Sequence, residues 1–210
     1  MPLARLLTPL APPLCVACGG VAGACEPLCG ACRGRLRWLG SGATQVAGVN
    51  LWAPLAYEGG ARALVGALKY RGVLAAAELM AAHMAANAPP DLLAERSLVP
   101  VPLHPARRRR RGFNQAERLA GALAKRTDAV VCDCLRRSGS RMAQVGRPRA
   151  ERLAAIEGAI ALRPGVAAPA RVLVIDDVVT TGATLAACVG VLRGAGADVR
   201  AIAYARTPGR

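Results

Sequence analysis

Fifteen residues, Arg171 to Leu185, constrain this chain more than any other segment. Val172 to Ile175 is an unbroken β-branched and Leu run. A strand apolar on both faces must be covered on both, the condition of a parallel strand between helical layers. The run closes on two carboxylates, Asp176 and Asp177, before a short loop of Thr and Gly opens a helix at Ala183. Backbone N–H groups of residues 181–184 would converge on one spot at the positive end of that helix, a cradle for a phosphate dianion. Thr180, Thr181 and Thr184 add hydroxyl donors beside Ala183, and Gly182 permits the sharp backbone path. One turn of loop away, the two carboxylates can accept hydrogen bonds from a vicinal diol or approach a divalent cation. Phosphate and diol at that separation describe ribose 5-phosphate.

The rest of the chain supplies a matching frame. Strand-like runs at Val49–Tyr57, Ser97–Leu103, Ala129–Leu135, Arg171–Ile175 and Val199–Tyr204 alternate with helical patterns. The helices are expected over Ala61–Tyr70, Leu74–Asn87, Asn114–Arg126, Ala150–Glu157 and Ala183–Gly194. Such alternation implies an α/β fold, a mainly parallel sheet with helices on both faces. A ligand would sit beyond the carboxyl ends of the strands. A chain of 210 residues accommodates one such domain, residues 46–210, with a small satellite over residues 1–45.

Cysteine spacing defines the satellite. Cys15 and Cys18 form one Cys-x2-Cys pair, Cys29 and Cys32 a second, ten residues apart, and Gly19-Gly20 follows the first. Two such hairpins set four thiolates at the corners of a tetrahedron, the geometry of zinc. Four thiolates leave no open coordination position, so the expected Zn²⁺ is structural. Cys25 is the alternative to Cys29 but lacks a partner at two-residue spacing. Residues 33–45 read as a basic connector, Cys132, Cys134 and Cys188 as core thiols, and His83 and His104 as lone histidines.

Charge indicates the kind of partner. Lys plus Arg is 28 against 13 acids, a net +15, and only Lys69 and Lys125 are lysine. A GC-rich coding bias explains arginine in place of lysine, not the surplus over acids, which favours a phosphate-bearing partner. Hydrophobic residues are 53% of the chain, which excludes intrinsic disorder. The longest apolar stretch, Val73 to Ala88, carries Glu78 and His83 and stops at Pro89-Pro90, short of a membrane span. Pro9, Pro12 and Pro13 interrupt the N-terminal apolar run, so no signal peptide is expected and the chain is read as cytoplasmic, without membrane insertion.

The run from Arg171 through Asp176-Asp177 to Thr180-Thr181-Gly182-Ala183-Thr184 resembles the PRPP-binding signature of type I phosphoribosyltransferases. Further motifs resemble the competence protein ComF family. These are Val-Pro-Val-Pro-Leu-His104-Pro105, the spaced Arg107, Arg109 and Arg111, then Gly112-Phe113-Asn114-Gln115. Ala67-Leu68-Lys69-Tyr70-Arg71-Gly72, Gln144 to Arg152 and the double Cys-x2-Cys front end are similar as well. Arg108 and Arg110 are extra to the family pattern, and Arg141-Met-Ala stands where relatives often carry Thr-Pro-Pro.

The resemblance implies PRPP, bound with Mg²⁺, at Asp176, Asp177 and residues 180–184. It implies pyrophosphate or DNA phosphate at Lys69 and Arg71 and, on a loop from His104 to Gly112, at Arg107, Arg109 and Arg111. Arg136 to Arg149 would be a lid closing over the ligand, with Arg141, Gln144 and Arg149 as loop candidates for catalysis. Two functions follow. One is transfer of phosphoribosyl from PRPP to an unidentified acceptor. The other is handling single-stranded DNA during natural transformation, beside a helicase and recombination proteins. They are compatible on one chain, and the expectation is a PRPP-binding protein that supports DNA uptake. A purely structural zinc adaptor, with the phosphate loop as a relic, is the third reading.

Overall fold

The computed structural model describes residues 13–24, 26–94, 96–138 and 158–208. Its centre is a six-stranded sheet. Strand β1 (Thr44–Val46) turns back on β2 (Val49–Trp52), and β3 (Leu55–Ala56) continues along the same path. After helices α2 (Gly59–Arg71), α3 (Leu74–Asn87) and α4 (Pro90–Leu93) comes β4 (Ser97–Pro100). Helices α5 (Pro105–Arg111) and α6 (Gln115–Ala124) lead to a separate antiparallel pair, β5 (Leu135–Arg137) and β6 (Ile160–Leu162). Strand β7 (Arg171–Val179), helix α7 (Ala183–Gly194) and β8 (Asp198–Arg206) close the chain; the short helix α1 (Gly30–Gly34) lies near its start.

The sheet runs β1-β2-β8-β7-β4, with β3 also on β8, and every pairing except β1–β2 is parallel. The α/β architecture expected from the alternation is the one observed. Strand pleating sends successive side chains to opposite faces. From β7, Leu173 and Ile175 enter a cluster with Leu64, Leu68, Met80, Met84, Leu119 and Leu123 of α2, α3 and α6. Val172 and Val174 face the other way, onto Leu185, Cys188, Val189 and Leu192 of α7. Both faces are covered, as the apolar run required.

Several boundaries differ from the pattern reading. The run 49–57 is two strands, because Pro54 has no N–H for the ladder and its carbonyl accepts from Leu39 N instead. The run 129–135 makes a single parallel bridge, Val131 to Leu98, before β5 begins at Leu135. Strand β7 does not stop at Ile175. It continues through both acids to Val179, because β8 extends alongside it and pairs Val178 with Ala205 and Val179 with Arg206. The connector over 33–45 supplies β1, whose turn onto β2 places Ala47 at φ 50° and Gly48 at φ 74°. Ala-Gly is not a usual left-handed turn pair, so the hairpin left little trace in the sequence.

The arginine run is a helix rather than a loop. Pro105 at its first turn, His104 Nδ1 accepting from Ala106 N at 3.2 Å, and Gly112 at φ 81° just past its end bound it. That Pro-first, Gly-last punctuation is a sequence signal for a helix. The expected helix over 150–157, the closing segment around Arg141, Gln144 and Arg149, and Cys25 lie outside the described residues.

Candidate functional site

The loop that the sequence marks for phosphate lies past the carboxyl end of β7. Gly182 takes φ +78°, directly before α7, and no side chain among the described residues caps that helix. The first N–H groups of an uncapped helix have no intrahelical acceptor. Here they border a hollow of about 70 Å³ lined by Asp176 and by residues 178–185. Glycine is demanded twice at 182. Its φ lies in the left-handed region, and a Cβ there would stand 2.6 Å from Val46 Cγ1 and 3.2 Å from Ala47 Cβ. The β1–β2 hairpin therefore backs the loop.

The paired acids part company across the sheet. Pleating turns Asp176 toward the α7 side, where its carboxyl is half-buried at the hollow and its Oδ1 accepts from Asp177 N at 2.8 Å. Burial, and after it the charge of Asp177, raises Asp176 well above the ordinary carboxylate range, with Lys69 pulling the other way. Asp177 points to the α2 side and is 1% exposed. Its Oδ2 has the Lys69 ammonium at 2.5 Å, an ionic contact without an aligned hydrogen bond. Burying a carboxylate is tolerable only with such a partner.

The cations grouped in the sequence as phosphate ligands are dispersed. Lys69 is held by Asp177, and Arg71 reaches back to Val16 O at 3.0 Å. On a helix, residues four apart share a face while residues two apart do not, so Arg107 and Arg111 align and Arg109 points away. Arg111 donates to Gln115 Oε1, and its guanidinium lies 5.6 Å from the centre of the Tyr70 ring. Arg108, extra to the family pattern, pairs with Glu117 at 2.6 Å. Among the described residues, Arg107 and Arg109 meet no carboxylate; both are exposed and their charges lie near His104. Val101 N donates to Ile175 O, so the segment leading from β4 to the arginine helix leaves the same sheet edge as the phosphate loop. A cavity of about 390 Å³ opens there, lined by Pro102, Leu103 and Pro105 with Arg108, Arg137 and Arg163. Arg137 and Arg163 were not singled out by the sequence, because isolated arginines abound in this chain.

At the other end, the Sγ atoms of Cys15, Cys18, Cys29 and Cys32 all lie within 4.8 Å of one another, and those of Cys18 and Cys29 are 3.8 Å apart. Thiolates on a tetrahedron about 2.3 Å from zinc stand about 3.8 Å apart, so the four residues fit that ion. The knuckle turn is closed by Cys15 N to Gly20 O at 2.8 Å and Gly19 N to Cys15 O at 2.9 Å. Burial opposes ionisation of Cys15, yet the backbone amides of Cys29, Cys18 and Ala17 outweigh it and bring the thiol down to about 6. Hydrogen bonds from Cys18 and Cys29, then burial, push Cys32 up to about 12. Leu28 and Leu36 of this segment join the same apolar cluster as Leu64 and Leu68. Cys134 and Cys188 are buried, their thiols pushed up to about 12 chiefly by burial, as core thiols are.

These features define a class: an α/β protein with a mainly parallel sheet, a Thr-Thr-Gly loop bordering a hollow at its carboxyl edge, and a four-cysteine cluster at its N-terminal end. No family model matches the chain. Over 113 residues it is 37% identical to the competence protein ComFC of Streptococcus pneumoniae, a match covering 53% of this chain and 49% of that protein. The chain is thus similar to ComFC, as its motifs indicated, and matches about half the length of that relative. Two solved structures are more distantly similar. One is the allosteric regulatory enzyme of purine biosynthesis, at 21% identity and TM-score 0.42 over 62% of this chain and 26% of that one. The other is orotate phosphoribosyltransferase from Aeropyrum pernix, at 18% identity and TM-score 0.37 over 96% and 80%. Among the described residues, no helix is long and apolar enough to cross a membrane.

Proposed function

We propose that this chain binds PRPP at the carboxyl edge of β7 and supports DNA uptake in the cytoplasm, where it handles single-stranded DNA. The observation that carries the PRPP reading is the hollow between Asp176 and the uncapped start of α7, with a glycine whose φ and close neighbours make any side chain strained. The 5′-phosphate would take the N–H groups and hydroxyls of residues 180–184, and Asp176 would accept from the ribose hydroxyls. Mg²⁺ bound with PRPP would offset pyrophosphate charge, with Asp176 the carboxylate at the hollow able to approach it. Asp177 holds Lys69 on the opposite, α2 side of the sheet. The DNA reading is supported by the net charge of +15 and by the similarity to a competence protein.

Zinc held by Cys15, Cys18, Cys29 and Cys32 would be structural, in a unit spanning residues 1–45 against a PRPP-binding domain of 46–210. Transfer of phosphoribosyl to an acceptor is the second reading, favoured by the 390 Å³ cavity that opens beside β4. Appearance of a phosphoribosylated product with a panel of acceptors would support it.

Calorimetric titration of PRPP with Mg²⁺ tests the first reading. The wild type should bind saturably, and Asp176→Asn should weaken binding at least tenfold. Absence of binding by the wild type would overturn the PRPP reading.

A further inference from the structure

All six aromatic residues of the chain are among those described, and they are not used alike. Trp52 and Tyr204 are buried, and Tyr57 and Phe113 half-buried. Trp38 is 45% exposed and its ring meets His83. Tyr70 is 75% exposed, and its ring contact is with a cation, Arg111.

Tyr70 stands at the C-terminal end of α2. That helix turns Leu64, Val65 and Leu68 inward, so its outer side is a shallow depression of about 430 Å³ bordered by Arg62, Tyr70 and Arg71. Among the described residues, no acidic one lines it. Arg62 is exposed and, among the described residues, paired with no carboxylate. Arg71 spends one nitrogen on Val16 O. An exposed ring backed by one guanidinium, with two more on its own helix at Arg62 and Arg71, matches a single strand in its unpaired form. Its bases have free faces to stack and its phosphates follow at regular spacing. A double helix offers no such faces.

We infer that the outer side of α2 is a single-stranded nucleic-acid track, with one base stacked on Tyr70 against Arg111 and the flanking phosphates on Arg62 and Arg71. The inference rests on the nucleic-acid half of the function proposed above. It adds a location and a recognition mode to that reading. Lys69, the neighbour of Tyr70, is the residue that holds Asp177, so the track lies on the α2 side of the sheet.

The test is fluorescence anisotropy with labelled oligothymidylate and the full chain, titrated at several salt concentrations. Tyr70→Ala should weaken binding about 5- to 150-fold, the worth of one stacked base, while Tyr70→Phe stays within about twofold of wild type. Arg62→Gln should reduce the slope of log K against log salt by about 0.7, the share of one phosphate on a single strand. Unchanged melting of Tyr70→Ala would show that the loss is not unfolding. Wild-type binding with Tyr70→Ala equal to it would overturn the track and leave DNA binding standing. Equal loss by Tyr70→Ala on duplex and single strand would also overturn it, since stacked pairs cannot use the ring. No binding by the wild type would remove the nucleic-acid reading itself.

Discussion

The cysteine knuckle and the Thr-Thr-Gly loop are both built on glycine turns that lead toward a helix, yet they are assembled in opposite ways. The knuckle takes its four side chains from eighteen consecutive residues, and its local turns already aim them together. The loop takes its donors locally but its supports from afar: Val46 behind Gly182, Lys69 against Asp177, and the ends of β4 and β8 alongside. Local ligand sets survive as motifs. Supports contributed by distant elements do not.

The sharpest way to break the comparison is to empty the knuckle. Chelation of zinc, or Cys29→Ser, should unfold the segment around Leu28 and Leu36 and lower the melting temperature of the whole chain, since those side chains sit in the main core. Circular dichroism during chelator titration, with released zinc read by a colorimetric dye, checks it; an unchanged melt would make the cluster dispensable. Next in size is the buried pair. Lys69→Met leaves Asp177 unpaired in the core and should cost about 3–5 kcal/mol in urea unfolding. Asp177→Leu added to it should recover much of that loss, and failure to recover would mean the pair is not what α2 supplies.

Gly182→Ala follows, with an expected loss of about 1–3 kcal/mol from the left-handed φ and the approach to Val46, together with loss of PRPP binding. Retained binding would show that the hairpin gives way easily. Asp176→Asn runs the other way. The carboxyl of Asp176 is raised in the fold, so the native state holds its proton more tightly than the unfolded chain does. Stability on that account declines as pH rises above the unfolded value near ~3.9 toward the raised folded one. The variant should therefore melt higher than wild type at neutral pH, and the gain should vanish in acid. A gain that persists in acid would have another cause. The smallest effect is expected from Arg108→Gln, at an exposed pair with Glu117, below about 1 kcal/mol in the same urea experiment.

Legibility followed the range of the forces involved. The apolar run from Val172 to Ile175, the Thr-Thr-Gly loop and the helix after it were readable because one strand and one turn carry the pattern. The arginine helix was readable in principle, from Pro105 and Gly112, but a run of like charges reads first as a solvated loop. The reach of β7 to Val179 was not readable, since its last residues are strand only because β8 lies beside them.

The sequence by itself determined the alternation of strand and helix, the two thiol pairs and the Thr-Thr-Gly loop before α7, since each depends on periodicity or spacing within a few turns of chain. Only the tertiary structure decided that Asp176 and Asp177 serve opposite faces, that Lys69 belongs to the second of them, and that Tyr70 stands in the open beneath Arg111. Those three facts depend on which helix packs on which side of the sheet. That choice is made by burial of the whole core, not by any one segment.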